Sequence, residues 1–491
     1  MDEITLIERI EEAIRTVNSW VWGAPMLGLL LLTGLFLTVG LRFLSVVKLP
    51  YAFGQLFKKR DPDSGDVSPF GALMTALSST IGTGNIAGVA AAIAIGGPGA
   101  VFWMWMTAIV GTATKYSEGL LALKFREVDH LGNHVGGPMY YIKNGLGKKW
   151  LWLGGLFATF GILASWGTGA SIQAQSIADA VRTTYGGSPD TTFYKYFPVL
   201  IGLVLAGGAA AVILGGVKRI ASVASKLVPF MAISYIGAGL IVIIMNVDAV
   251  PSAFGLIFRG AFGYDTATTG ISIGLLMLAM QKGVARGIFS NEAGQGSAPI
   301  AHAAAMNKDP VNQGIVAMLG TVIDTLIVCT ITALVILTSG VVADQCIATS
   351  LNIDIFKADG QPVGCDTGAP LTVGAFDAVL PGVGQHIVTI GLAVFGFTTI
   401  LGWSYYGERC CEFLFGEKSI FPFRLSWILV VFLGASALMF EGEVANIVNL
   451  FWLIADTLTG LMAAPNLIAL VLLSPVVFKM TKDYFDEKKV K

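Results

Sequence analysis

Charge is what this chain has little of. Of its 491 residues only 13% are Asp, Glu, Lys or Arg, where soluble domains carry about a quarter; 54% are hydrophobic and the mean hydropathy is +0.72. That balance excludes an ordinary soluble globule and leaves a polytopic membrane protein. A net charge of -1 excludes the basic face that nucleic acid requires, so no nucleic-acid partner is expected. Cysteine is scarce as well. Cys329 sits in an apolar run, Cys410 and Cys411 are adjacent, and only Cys346 and Cys365 share a long polar loop, so no metal-ligand spacing arises. The four histidines, His130, His134, His302 and His386, form no HExxH, and no GxxxxGK[ST] occurs. An enzyme of the metallohydrolase type and a nucleotide-driven pump both lack their motifs, and no cofactor is expected. Nor is a cleavable signal peptide expected. Residues 1–18 begin acidic and set Ile4, Ile7, Ile10, Ile14 and Val17 on one face, which predicts an amphipathic helix on the membrane surface.

What the chain has is apolar runs. Spanning-length segments fall at roughly 19–42, 69–94, 99–123, 151–180, 196–216, 221–246, 254–286 with an interruption, 313–341, 384–406, 425–440 and 446–475, judged against the ~20 residues a span needs. The prediction is an all-α protein of eleven transmembrane helices. Twenty-four Lys and Arg then fall in the loops of one side and six on the other, with Lys115 inside a span. By the positive-inside rule the N-terminus is outside and the tail 476–491 cytoplasmic, in the plasma (inner) membrane. The loop 342–383 is therefore external, where Cys346 and Cys365 are expected to form a disulfide, while Cys410 and Cys411 stay reduced.

One span is internally inconsistent. Residues 70–94 are long enough to cross, yet their middle reads Ser78-Ser-Thr-Ile-Gly-Thr-Gly-Asn85, and two glycines among hydroxyls disfavour helix and gain nothing from lipid. A broken helix lining a protected cavity is predicted, the device by which secondary transporters hold solute and ion near the midplane. Counting back from Lys282 as the cytoplasmic end of the seventh span puts a second break at Gly270 to Gly274. The same counting brings Phe397 to Thr399, and Ser165 with Trp166, to that depth. Two breaks five spans apart, entering from opposite sides, predict inverted repeats at 69–246 and 254–475, with 19–42 as an added first helix.

The run GTGNIAG at 82–88, with GGPGAVFWMWMT at 96–107, resembles the alanine or glycine:cation symporter family, and GVARGIFSNEAGQGSAPIAH at 283–302 resembles that family's second long motif. The likeness extends from about residue 19 to 475. It implies a LeuT-type fold of five plus five helices and symport of small neutral amino acids such as alanine or glycine with sodium, or sometimes protons. It also implies substrate contacts along Thr80, Gly82, Thr83, Gly84 and Asn85 and along Gly270, Ile271, Ser272, Ile273 and Gly274, and a sodium site between the first break and Thr398 and Thr399. At Ile271 the family often has Phe, and the outer loop is longer than usual, so the pocket's size preference is open.

The residues suit those roles. A broken helix offers free N–H groups to a carboxylate and free carbonyls to a cation, and Asn85 can serve either. Sodium wants hard oxygens, which Thr398 and Thr399 with carbonyls freed around Ser78 and Ile81 would supply. Trp166 and Trp403 are expected to close the pocket. Of the ionisable residues inside spans, Asp324, with Asn85, is the candidate for a second cation or proton; Lys115, Glu118 and Asp456, with Arg286 and Glu292, are read as a cytoplasmic gate network. Proton coupling or exchange is the alternative, and an ion channel the rival class. One chain holding two unlike breaks speaks against a symmetric filter and for a monomer.

Overall fold

The computed structural model describes residues 6–56, 64–265, 270–341, 368–440 and 445–489. Cys346 and Cys365, and with them the expected disulfide, lie outside the described residues. The protein is an all-α, multi-pass membrane bundle. Among the described residues eight helices are long and apolar enough to cross a membrane, or nine with the bent pair Pro69–Thr80 and Gly84–Gly96. Two short antiparallel hairpins, Glu127–Val128 with His134–Val135 and Tyr264–Asp265 with Gly270–Ile271, are the β-structure beside the bundle.

The two ends of the bundle are distinguishable. The opening helix Leu6–Val21 meets the long closing helix Ala445–Lys489 where Asn18 Nδ2 donates to Asp456 Oδ2 at 2.9 Å and Trp22 Nε1 to the Asp456 carbonyl at 3.2 Å. At the other end of the Ala24–Gly40 helix, Phe36 meets Phe478 of the same partner, ring centroids 5.8 Å apart. The first and last helices therefore run in parallel, and we call the two ends the N-side and the C-side. The helix expected within residues 1–18 is present as Leu6–Val21, and Asn18, with Trp22 just beyond its end, ties it to Asp456 of the closing helix.

Lipid supplies the solvent for much of the rest. Leu32, Val204, Phe230, Ile233 and Ile244 stand exposed on the bundle wall, a cost in water and none in hydrocarbon. Inside, Leu37, Leu73, Ile86, Tyr116, Phe376 and Phe395 are completely covered.

The apolar run 254–286 is not one interrupted span. Val250–Ala261 is a helix of its own, followed by the second hairpin, and the next helix starts at Ile273, capped by Ser272 Oγ accepting from the Leu275 amide at 3.3 Å. Ser272 there caps a helix and Gly270 lies in a strand, so neither belongs to a midplane break.

On the C-side, ion pairs hold the first hairpin to the bundle. Arg409, 4% exposed, lies 2.5 Å from Glu408, 2.6 Å from Glu412 and 3.5 Å from Asp129, and Arg424 Nε donates to Glu408 at 2.6 Å. Burial alone would raise the Asp129 carboxyl, but bonds from Asn133 and the Arg409 charge outweigh it and hold it below its ordinary value. Arg409→Gln leaves neighbouring buried carboxylates without their cation. A loss of about 3–5 kcal/mol is expected on that account, read as a lowered midpoint of thermal unfolding in detergent beside Arg424→Gln, which should cost less because Arg424 is the more exposed arginine and Glu408 keeps Arg409.

Candidate functional site

The first break forms by a competition for one amide. Pro69–Thr80 starts at Ser68, whose Oγ accepts from the Gly71 amide at 3.0 Å, and ends at Ile81, where ψ turns to 95°. In an unbroken helix the Gly82 N–H would bond the Ser78 carbonyl; here it donates to Asn85 Oδ1 at 2.9 Å. The Ser78 carbonyl is thereby released. The chain resumes at Gly84 in a widened π turn, and the two halves meet at 55°. The predicted break at 80–85 is present.

The second break lies elsewhere than predicted. It is the segment Glu292 to Ser297, between Ile273–Asn291 and Ala298–Ala303, where Glu292 (φ 54°), Gly294 (φ 90°) and Gly296 (φ 83°) are all left-handed. Gly270, Ile271, Ser272, Ile273 and Gly274 belong to the N-side hairpin and helix start, and none lines the pocket described below. The error came from Lys282. That residue packs on Gly96 at the N-side end of the first broken helix instead of marking a C-side terminus, so counting back from it overshot the break. Lys282 and Arg286 accordingly change sides in the count of basic residues.

The two breaks face one another across a small pocket. Ser79, Thr80, Gly82 and Gly84 come from the first; Phe289, Glu292 and Gln295 from the second; Thr168 and Gln173 from the span 151–185, at and just after its π-helical turn; Thr399 and Trp403 from Gly384–Phe415; and Thr459 from the closing helix. Trp403 Nε1 donates to Glu292 Oε1 at 3.0 Å, Ser297 Oγ to Glu292 Oε2 at 2.5 Å, and Thr83 Oγ1 to Gln173 Oε1 at 3.2 Å. The open space is about 20 Å³, enough for a water and too little for an amino acid, so the pocket is closed. A vestibule of about 760 Å³ lies on its N-side between Arg15, Asn18, Trp22, Lys282, Arg286 and Asp456. Phe289 and Thr168 line both spaces, and the Phe289 ring sits 6.5 Å from that of Trp22 and 5.9 Å from the Arg286 guanidinium. A cleft of about 800 Å³ against the C-side hairpin shares no residue with either.

Behind the first break is a fully buried polar knot. Asn85 Nδ2 donates to Asp324 Oδ1 at 2.6 Å and to Ser290 Oγ at 3.1 Å, while Ser290 Oγ and Thr325 Oγ1 reach Asp324 Oδ2 at 2.8 and 2.7 Å. It ties together both broken helices and the 310–338 span, as the pairing of Asn85 with Asp324 requires. Thr399 Oγ1 lies 3.4 Å from the Ile81 carbonyl and 3.0 Å from that of Phe395. Thr398 points differently: it bonds the Phe395 carbonyl at 2.9 Å and reaches Met231 Sδ at 3.4 Å.

Trp166 is not a pocket residue. It stacks on Phe423, centroids 5.9 Å apart, and the same π-helical turn offers Thr168 to the pocket instead. The expected gate group divides. Glu118 Oε1 accepts from the Gly294 amide at 3.2 Å and from Asn466 at 2.7 Å, supporting the second break; Glu292 lines the pocket; Arg286 and Asp456 line the N-side vestibule; Lys115 is buried within its span. A cytoplasmic gate built from all five is therefore not what the geometry contains. Gln173, Phe289, Gln295 and Thr459 were missed, although the run SNEAGQGS at 290–297 carries the Gly and polar signature by which the first break is recognised.

Two broken helices around a polar pocket, with a wide vestibule on one side, is transporter geometry. The sodium:alanine symporter family matches residues 7–491. The chain belongs to that family. It is 48% identical to the sodium/alanine symporter AgcS of Methanococcus maripaludis over 97% of each chain, and 37% identical to the probable sodium/glutamine symporter GlnT of Bacillus subtilis over 98% of this chain and 92% of that one. In fold it is similar to MhsT, solved in complex with L-phenylalanine, at a TM-score of 0.54 and 12% identity, covering 85% of this chain and 98% of that one. The fold is of the LeuT type. As a family member the chain is a transporter and not an enzyme.

Phe289 separates pocket from vestibule, so Phe289→Ala should join them. With the native cysteines replaced by serine and Thr459→Cys as reporter, the added Phe289→Ala is expected to speed labelling by a membrane-impermeant thiol reagent at least about tenfold; equal rates would mean another group closes the pocket.

Proposed function

We infer that the chain is a secondary transporter that couples sodium to the import of small neutral amino acids, alanine or glycine among them, by alternating access. The observation that carries this reading is the pair of opposed helix breaks around one closed polar pocket, in a chain nearly half identical to a sodium/alanine symporter. The break residues Thr80, Gly82 and Gly84, held in place by Asn85 behind them, and the wall residues Glu292, Gln295 and Trp403 hold the amino acid. The sodium ligands are the Ser78 and Ile81 carbonyls with Thr399, and Thr398 is next to them. Asp324, already capped by three donors, is the candidate for a second cation or a proton.

In this reading the membrane is crossed eleven times. To the nine candidate spans it adds Ala100–Lys124 and the broken helix of Ile273–Asn291 and Ala298–Ala303, which carry charged or interrupted segments and so fall short as plain apolar spans. The first and second broken helices are then five crossings apart and run in opposite directions, which supports inverted repeats after one added helix. The basic loops still gather on the C-side after Lys282 and Arg286 move, which supports an external N-terminus and a cytoplasmic C-terminus. A single chain contains both breaks, so the transporting unit is a monomer.

Purified protein in liposomes is expected to accumulate alanine above equilibrium under an inward sodium gradient. Uptake driven by a proton gradient without sodium would move the coupling to Asp324, and uptake that never exceeds equilibrium would make the protein a channel. Thr399→Val keeps volume and removes a hard ligand; half-saturating sodium should rise about tenfold, equivalent to about 1.4 kcal/mol of ion binding. Apparent alanine affinity should fall with it, since coupled binding free energies are reciprocal. Thr398→Val, which faces Met231, should do less; an unaltered sodium dependence in both would place the ion elsewhere.

A further inference from the structure

An amino acid at neutral pH brings a positive and a negative end, and the two walls of the pocket differ in kind. The first break presents the N-terminal end of the half-helix Gly84–Gly96, whose first amides have no partner within the helix and whose dipole favours an anion. The opposite wall presents Glu292. It is the one charged side chain lining the pocket among the described residues.

We propose that Glu292 recognises the α-ammonium group of the substrate and makes a free ammonium a condition of transport. The assignment rests on the amino-acid reading above and adds the residue that reads the cationic end. Three features carry it. Each Glu292 oxygen accepts one bond from the protein, from Trp403 and from Ser297, whereas a carboxylate offers about four acceptor positions, so acceptor capacity remains on the pocket side. The backbone at Glu292 is left-handed, at φ 54°, a conformation unfavourable for a residue with a Cβ and kept only where the surroundings impose it. That turn is what swings a carboxylate out of the helix end into the pocket wall. Finally, the other buried acids nearby are engaged elsewhere: Asp324 takes its donors behind Asn85, and Glu118 takes Gly294 and Asn466, and neither lines the pocket.

A ligand with a carboxylate and a neutral group in place of the ammonium would leave the Glu292 charge without its countercharge, which a site built for a cation rejects. The full-length protein, with sodium, is tested by displacement of labelled alanine. Lactate and N-acetylalanine are expected to need at least about a hundredfold more than unlabelled alanine to displace it; either one competing as well as alanine overturns the assignment without any variant being made. Glu292→Gln should weaken alanine at least about tenfold and narrow the gap between alanine and lactate, while the thermal shift produced by sodium alone persists, which a variant that merely misfolds would lose. Alanine affinity and discrimination both unchanged in Glu292→Gln overturn the assignment and leave the transport reading standing. No sodium-dependent alanine binding in the unaltered protein overturns both.

Discussion

The Asn85 side chain is the contact on which the centre of this structure depends. Its oxygen takes the Gly82 amide away from the Ser78 carbonyl, which opens the first helix and frees that carbonyl; its nitrogen bonds Asp324 and Ser290, which fixes the opened segment against two other spans. One amide thus performs the local unwinding and the long-range attachment together. An unwound segment in a membrane is tolerated only when protein satisfies its polar groups, and this knot is how that is arranged. The second break is secured in parallel fashion by Glu118 and Asn466, which bind the amide and carbonyl of Gly294.

Charge is sparse, and its placement divides by depth. On the C-side the acids Glu408, Glu412 and Asp129 surround Arg409, a cluster whose work is to hold a hairpin and helix ends together. At the centre the hydrogen bonds to Asp324, Glu292 and Glu118 come from neutral donors, amides, hydroxyls and an indole, and their cation, the buried Lys115, makes no ion pair at contact distance among the described residues. Neutral donors stabilise a carboxylate while leaving it its charge, which an arginine at contact distance would cancel. The ammonium role proposed for Glu292 is better served by the second arrangement. The N-side vestibule has a third character, with Lys282, Arg286 and Asp456 around a wide opening that Phe289 closes off from the pocket.

Much of the fold was legible in the sequence because burial in lipid demands length and hydropathy, and both are local. The runs at 99–123, 196–216, 221–246 and 313–341 match helices within a few residues. The first break was legible for the same reason: glycines and hydroxyls in the middle of a span are costly wherever the span goes. The reading at 270–274 failed because the same residue types also make turns and helix caps, and depth was inferred from Lys282 on the assumption that a lysine ends a span. A long side chain beside a vestibule breaks that assumption, since it reaches water without leaving the membrane's thickness.

By itself the sequence determined the class of protein and the first broken helix, and it singled out Asn85, Asp324, Thr399 and Trp403, which the fold brings to the centre, since each stands out by polarity or size against an apolar surround. The tertiary structure alone decided where those groups point. It separated Thr399, beside the Ile81 carbonyl, from Thr398, beside Met231; it moved Trp166 out of the pocket and Glu292 into it; and it placed the second break at Glu292 to Ser297. Neighbouring residues on a helix differ by about 100° in direction, and a left-handed turn redirects a side chain altogether, so facing is settled by what packs opposite and cannot be read along the chain.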